Sequence, residues 1–159
     1  MRARKWVVAG LLVLLTYSGR AQQEQRSALL PASEVKGVAA RYPKTGPNRI
    51  TGAWEPTKAD IDGLEANLHQ ISDLSRRSAS PSLRIEHPEN YIRQYVGVPQ
   101  AGKKRIFVYA FCGFNGNQPP PSPFWRDHLI FVSDGGNCVW QSLYDPSSKT
   151  FLELRINGV

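Results

Sequence analysis

The rhythm of apolar positions changes near residue 80. Before it, Ile61, Leu64, Leu68, Ile71 and Leu74 recur at three- and four-residue steps, the spacing of one buried stripe on an amphipathic helix. Thr57, just after Trp54-Glu55-Pro56, is a good N-cap, and Asp60 and Asp62 suit the positive end of the helix dipole. Gly63 weakens the helix slightly, and the stretch 78–82 with Pro81 ends it. After residue 90 the period becomes two. Strands are predicted at 90–98, 104–112, 128–133, 138–145 and 150–157, with turns at 99–103 and 145–149. The predicted fold class is therefore α+β: one long amphipathic helix packed across a four- to five-stranded antiparallel sheet.

Strand parity then sorts the side chains into two faces. Pairing Val98 with Lys104 gathers Ile92, Val96, Ile106, Val108 and Ala110 on an aliphatic face. Tyr91, Arg93, Tyr95, Phe107, Tyr109 and Phe111 take the opposite one. In the last hairpin, pairing Asp145 with Thr150 sets Leu143 opposite Leu152 and Val139 opposite Ile156, with Leu154 on the same side. Tyr144 then meets Phe151, Ser142 meets Glu153 and Trp140 meets Arg155. The aliphatic face suits the helix. The aromatic face has two readings: a recognition surface of Tyr91, Arg93, Tyr95, Phe107, Tyr109, Trp140, Tyr144 and Arg155, or a second small core under the leader or the loop 113–127.

The N-terminus sets the compartment. Arg2, Arg4 and Lys5 precede an apolar run from Val7 to Leu15, and Gly19-Arg20-Ala21 supplies small residues at a cleavage point. Residues 1–21 thus read as a secretory signal peptide, with an uncleaved anchor as the alternative, and no membrane span is expected after cleavage. Residues 22–48 have no sustained periodicity and read as a flexible leader with a short helix around Ser33 to Tyr42, and residues 49–159 as a single α+β domain. Twenty basic and thirteen acidic side chains give a formal charge of +7. Four of the basic ones, Arg2, Arg4, Lys5 and Arg20, leave with the signal, so the mature chain carries +3 and no nucleic-acid partner is expected.

Two cysteines, Cys112 and Cys138, in an exported chain point to a disulfide. Closing that loop would contribute roughly 3–4 kcal/mol. Parity places the two on different faces, so the bridge requires a bulge or twist near Gly113 or Gly135-Gly136. Asp134-Gly135-Gly136-Asn137 reads as a turn between strands, and the segment 115–123, rich in proline, as a rigid loop pinned by Phe124 and Trp125.

Little here suggests chemistry. His69, His87 and His128 lie on three separate elements and match no ligand spacing, so neither a metal nor a cofactor is expected. Cys138 could act as a nucleophile near His128 only if unpaired, and Asp127 beside His128 has no serine elbow to accompany it. No catalytic residue is assigned.

The run DGGNCVWQSLYDPSSKTFLELRING (134–158), with ITGAWEPTKADIDGLEANL and YIRQYVGV before it, resembles a group of small exported bacterial proteins of no assigned activity. The resemblance implies bacterial export and carries over no catalytic residue. The helix-then-meander order is also similar to cystatin-like folds, and Gln94-Tyr95-Val96-Gly97 is one residue short of the cystatin Gln-x-Val-x-Gly loop. The expected function is a non-catalytic secreted or periplasmic binding module. It would use the aromatic face or the loop 113–127 to hold a protein, peptide or glycan in the cell envelope. The alternatives are a small hydrolase-like enzyme using Asp127, His128 or Asp134, and an envelope-associated structural protein.

Intact-mass analysis of the protein recovered from outside the cytoplasm should show a chain beginning at Gln22; a mass that retains residues 1–21 would favour the anchor.

Overall fold

The computed structural model describes residues 26–78, 80–113 and 118–157. The signal segment 1–21 lies outside them, as do residues 114–117 of the loop 113–127. Strand β1 (Ser27–Leu29) leads to a short helix α1 (Val35–Ala39), then to helices α2 (Lys58–Ala66) and α3 (His69–Ser78). Strands β2 (Ile92–Gln100), β3 (Lys103–Phe111), β4 (Val139–Asp145) and β5 (Thr150–Ile156) follow. The five strands form one sheet in the order β1-β2-β3-β4-β5.

The architecture is α+β, but the sheet is mixed. The ladder from β2 to β5 is antiparallel, whereas β1 runs parallel to β2, with Ser27 opposite Arg93 and Leu29 opposite Tyr95. β1 comes from the segment expected to be a flexible leader. It is held because Ala28, Leu30, Val38 and Tyr42 bury against the sheet, a gain that offsets the entropy of ordering it. The short helix expected there is α1.

The single long helix is two. Thr57 caps α2 as expected: its hydroxyl accepts from the Asp60 N–H, and the Asp60 carboxylate accepts from the Thr57 N–H at 2.8 Å, a reciprocal capping box. The helix stops at Asn67, whose side-chain amide donates to the Gly63 carbonyl at 2.8 Å and so takes over a last-turn acceptor. After this break α3 continues the stripe. Leu64, Leu68 and Ile71 are buried on the sheet, with Ile61 and Leu74 partly so.

The β2–β3 register differs by one residue from the expected one. The chain reverses through Ala101 and Gly102 alone, both at positive φ (50° and 73°), so Gln100 faces Lys103 and Val98 faces Arg105. A one-residue slip turns every β3 side chain to the other face relative to β2. The segregated aliphatic and aromatic faces therefore do not exist. Toward α2 and α3 lie Tyr95, Ile106, Val108, Ala110, Trp140 and Tyr144. Toward α1 and the segment 125–131 lie Ile92, Val96, Phe107, Tyr109, Phe111 and Leu143.

In the last hairpin Leu143–Leu152, Tyr144–Phe151 and Asp145–Thr150 pair as expected. A bulge with Glu153 at φ 53° then shifts the ladder. Ile156 comes to face Trp140 rather than Val139, Arg155 faces Gln141 rather than Trp140, and the expected Ser142–Glu153 pair is not formed. At the outer edge of β5, the Phe151 N–H donates to the Gln70 side chain at 3.1 Å.

No strand forms over 128–133. Its backbone is held by side chains instead. Gln94, fully buried, donates to the Trp125 and His128 carbonyls and accepts from the Ile130 N–H at 2.9 Å. The Tyr109 hydroxyl accepts from the Val132 N–H at 2.8 Å, and Glu34 from the Leu129 N–H at 2.9 Å. With that strand absent, Asp134-Gly135-Gly136-Asn137 is not a hairpin turn. Asp134, Gly135 and Gly136 all adopt positive φ and lead through a 3₁₀ turn into β4.

Cys112 and Cys138 form a disulfide, with Cα atoms 4.9 Å apart. No re-aiming is needed. In the observed β3–β4 register Phe111 faces Val139, so the next pair outward brings Cys112 opposite Cys138, and the Cys112 N–H donates to the Cys138 carbonyl at 2.8 Å.

Gly97 sits where Trp54-Glu55-Pro56 crosses β2. A Cβ there would lie 2.1 Å from the Trp54 carbonyl oxygen and 2.7 Å from Pro56 Cδ. Gly97→Ala should cost at least about 2 kcal/mol in urea unfolding, because backbone rather than a mobile side-chain end must move; an unchanged midpoint would contradict the crossing.

Candidate functional site

A cleft of about 1040 Å³ lies between α2–α3 and the segment 86–93. One wall is helical, with Asp62, Glu65, His69, Asp73 and Arg76. The facing wall carries Glu86, Glu89 and Asn90, with Arg26 at the N-terminal side. The walls are tied together by Ser72, whose hydroxyl donates to the Glu86 carbonyl at 3.1 Å.

Arg93 and Glu65 border this cleft from below, with side chains only 2% and 7% exposed. Arg93 reaches from β2 into the layer under the helices, and its donors are shared out completely. Nη2 lies 3.2 Å from Glu65 Oε2, Nε donates to the Tyr95 hydroxyl at 3.0 Å, and Nη1 donates to the Glu89 and Tyr91 carbonyls at 2.9 and 2.6 Å. The Tyr95 hydroxyl donates to Glu65 Oε1. A charge this deep persists only when paired and fully hydrogen-bonded, and this one is both. Burial works to lower the Arg93 pKa, but the Tyr95 oxygen and the Glu65 carboxylate outweigh it and raise it. Burial, aided by Glu65 and opposed by Arg93, pushes the Tyr95 hydroxyl well above its ordinary value. The arrangement keeps Tyr95 protonated and Arg93 charged, and it fastens the wall 88–91 to α2.

The expected recognition residues are not brought together on an open face. Arg93, Tyr95, Trp140 and Tyr144 are buried on the helix side. Tyr91 is half-buried there, its ring 5.9 Å from that of Trp140 and its hydroxyl donating to the Asn137 carbonyl at 2.7 Å. Phe107 and Tyr109 are buried on the opposite side, under α1 and the segment 124–131. Arg155 alone is exposed, its guanidinium 5.1 Å from the Tyr42 ring. The one-residue slip is the reason: it divides the aromatic set between two cores. Gln94-Tyr95-Val96-Gly97 is correspondingly the interior of a strand.

Asp127, His128 and Asp134 are exposed and lie outside the cleft lining, His128 facing Glu34 at 3.6 Å. Periodicity overlooked Glu65, Asp73, Arg76 and Glu86. The one hint was Glu65, three residues before Leu68 and thus on the flank of the buried stripe.

A second buried ion pair lies at the opposite end of the sheet. Arg105 and Asp145 face each other one step beyond the Ile106–Tyr144 pair and are bridged through Arg105 Nη1 and Asp145 Oδ2. Asp145 also accepts from the Ser147 N–H at 2.9 Å and the Ser147 hydroxyl at 2.6 Å. Burial alone would raise the Asp145 pKa, but the Ser147 hydrogen bonds and Arg105 bring it from 3.8 down to about 2.

Among the described residues, no helix is long and apolar enough to cross a membrane. Comparison of the chain with family models, curated proteins and solved structures found no match.

Because the folded-state pKa of Asp145 is depressed, its contribution is complete above about pH 4 and is lost as the pH falls through about 2. Urea unfolding followed against pH should show Asp145→Asn flattening this acid limb. The same variant should lose about 2 kcal/mol at neutral pH.

Proposed function

We propose that the chain is an exported, non-catalytic binding module whose ligand sits in the cleft between α2–α3 and the segment 86–93. The observation that carries this reading is the cleft itself: about 1040 Å³ of concave, polar space on a protein whose sheet is covered on both faces. Its size suits a peptide segment or a comparably small polar molecule, and the envelope supplies both. The titratable groups at its base favour binding over catalysis. Glu65, Arg93 and Tyr95 are spent on one another, and Tyr95 holds its proton too tightly to exchange it near neutral pH. The disulfide accords with an oxidising compartment, which the N-terminal sequence also suggests.

The other surface expected to bind is the proline-rich loop. Phe124 is exposed there, stacked on His128 with ring centroids 4.2 Å apart, and Pro121 and Pro123 beside it are exposed too. The two surfaces are separable by experiment. Ala66, exposed on α2 and lining the cleft, can be changed to Trp to fill the cleft without entering the core. Immobilised Ala66→Trp should fail to retain the envelope partner captured by the parent protein, while Phe124→Ala should retain it, with thermal melts confirming that both are folded. The reverse pattern would move the site to the proline loop.

A further inference from the structure

Two of the ion-paired groups at the cleft involve arginines of its lining, and they differ in what it costs to part them. The inner pair, Arg93 with Glu65, is buried, and removing either partner would strand a charge away from water. The outer one is half in solvent. Arg76 Nη1 lies 2.9 Å from Asp73 Oδ1 and Nη2 lies 3.7 Å from Glu86 Oε2, with side chains 51%, 50% and 53% exposed. Exposed pairs of this kind hold little net free energy, because water competes for both charges.

The outer pair spans the two walls. Asp73 belongs to α3 and Glu86 to the facing segment, so the Arg76 guanidinium sits between carboxylates from opposite sides. The backbones that carry them are tied independently of Arg76, because the Ser72 hydroxyl donates to the Glu86 backbone carbonyl from the same helix. The two walls would stay joined if the guanidinium swung out, leaving a carboxylate on each to meet another cation. Five carboxylates line the cleft against three arginines. Of these arginines, Arg93 is committed to Glu65, and Arg26 donates to the Asn90 carbonyl at 2.8 Å. A protein of net positive charge thus encloses a cleft whose lining carries more carboxylates than arginines. Asp62 is met by Lys58 at 2.7 Å and Glu89 by His87 at 3.2 Å, each along its own wall, whereas among the described residues Arg76 is the exposed cation set between carboxylates of both walls.

We infer that the ligand of this cleft carries a guanidinium or ammonium group and enters by displacing Arg76 from between Asp73 and Glu86. The inference rests on the cleft being the binding site. Arg76 is then a built-in competitor: it occupies the cationic subsite in the free protein and lowers apparent affinity by the fraction of time it does so. The same cation could be presented by an arginine side chain of a peptide or by a free polyamine.

Titration of the oxidised protein with N-acetyl-arginine amide, with spermidine and with neutral N-acetyl-glutamine amide tests this, read by calorimetry and by the amide resonances of Ser72, Asp73 and Glu86. A cationic probe should move those resonances and weaken with added salt. Arg76→Gln should tighten it about three-fold and Glu86→Gln should weaken it by about the same factor. Stronger binding of the arginine amide would assign the source to a peptide, stronger binding of spermidine to a polyamine. Equal or better binding of the glutamine amide, or weaker cation binding by Arg76→Gln, would overturn the inference and leave the cleft as a binding site for uncharged ligands. If none of the three probes moves those resonances, the inference also falls. The cleft reading falls with it only if Ala66→Trp still captures the partner.

Discussion

The two-residue reversal at Ala101-Gly102 fixes the geometry on which the rest depends. It sets β3 against β2 in a register that places Arg93 and Tyr95 under the helices. One residue of slip would take Arg93 away from Tyr95's neighbours across the ladder and bring Phe107 and Tyr109 beneath α2 and α3. The turn is an unfavourable place for an alanine, since positive φ suits glycine or asparagine. Neighbouring chain holds it there: the Ala101 N–H donates to the Pro47 carbonyl and the Gln100 side chain to the Asn48 carbonyl, both at 3.1 Å. A local backbone cost is thus met by the segment that goes on to cross β2 at Gly97.

Adjacent residues of β2 do the same job on opposite sides of the sheet. Arg93 points toward the helices and gathers carbonyls of the irregular stretch 88–91; Gln94 points the other way and satisfies three backbone groups of the irregular stretch 125–130. Irregular chain packed on a sheet face carries unpaired backbone groups, and one long polar side chain per face meets that need where no ladder can. The sheet can therefore be covered on both faces by a chain with little helix. The cleft is left between the covering helices and the stretch that Arg93 secures.

Much of the fold was legible in the apolar pattern. Four strands, the Thr57 cap and the stripe from Ile61 to Leu74 follow from period and capping chemistry alone. The departures share a cause: side chains acting on backbone at long range. Asn67 breaks the helix by taking the Gly63 carbonyl, and Gln94, Tyr109 and Glu34 hold 128–133 out of the sheet, although its composition is that of a strand. The bulge at Glu153 inserts a residue that alternation cannot foresee. The cysteine pairing was reachable from compartment and count, while parity opposed it only because the strand register was unknown. Of the candidate site, Arg93 was visible as a charge within a strand. Its partner Glu65 was not, because a carboxylate on the flank of a helical stripe looks the same whether it meets solvent or a buried guanidinium. Asp73, Arg76 and Glu86 come together only through tertiary packing.

The way the sheet ends has a consequence for crowded conditions. On one side the sheet ends in the three-residue β1, and past it Leu30, Trp54 and Thr51 donate their N–H groups to the Tyr95, Gly97 and Pro99 carbonyls of β2. At the β5 edge, Gln70 occupies the Phe151 N–H and the Glu153 bulge interrupts the line of the strand. A neighbouring molecule would meet a very short edge strand on one side and a ladder bent out of register on the other. Edges of this kind disfavour the recruitment of one molecule's strands by another into cross-β stacks.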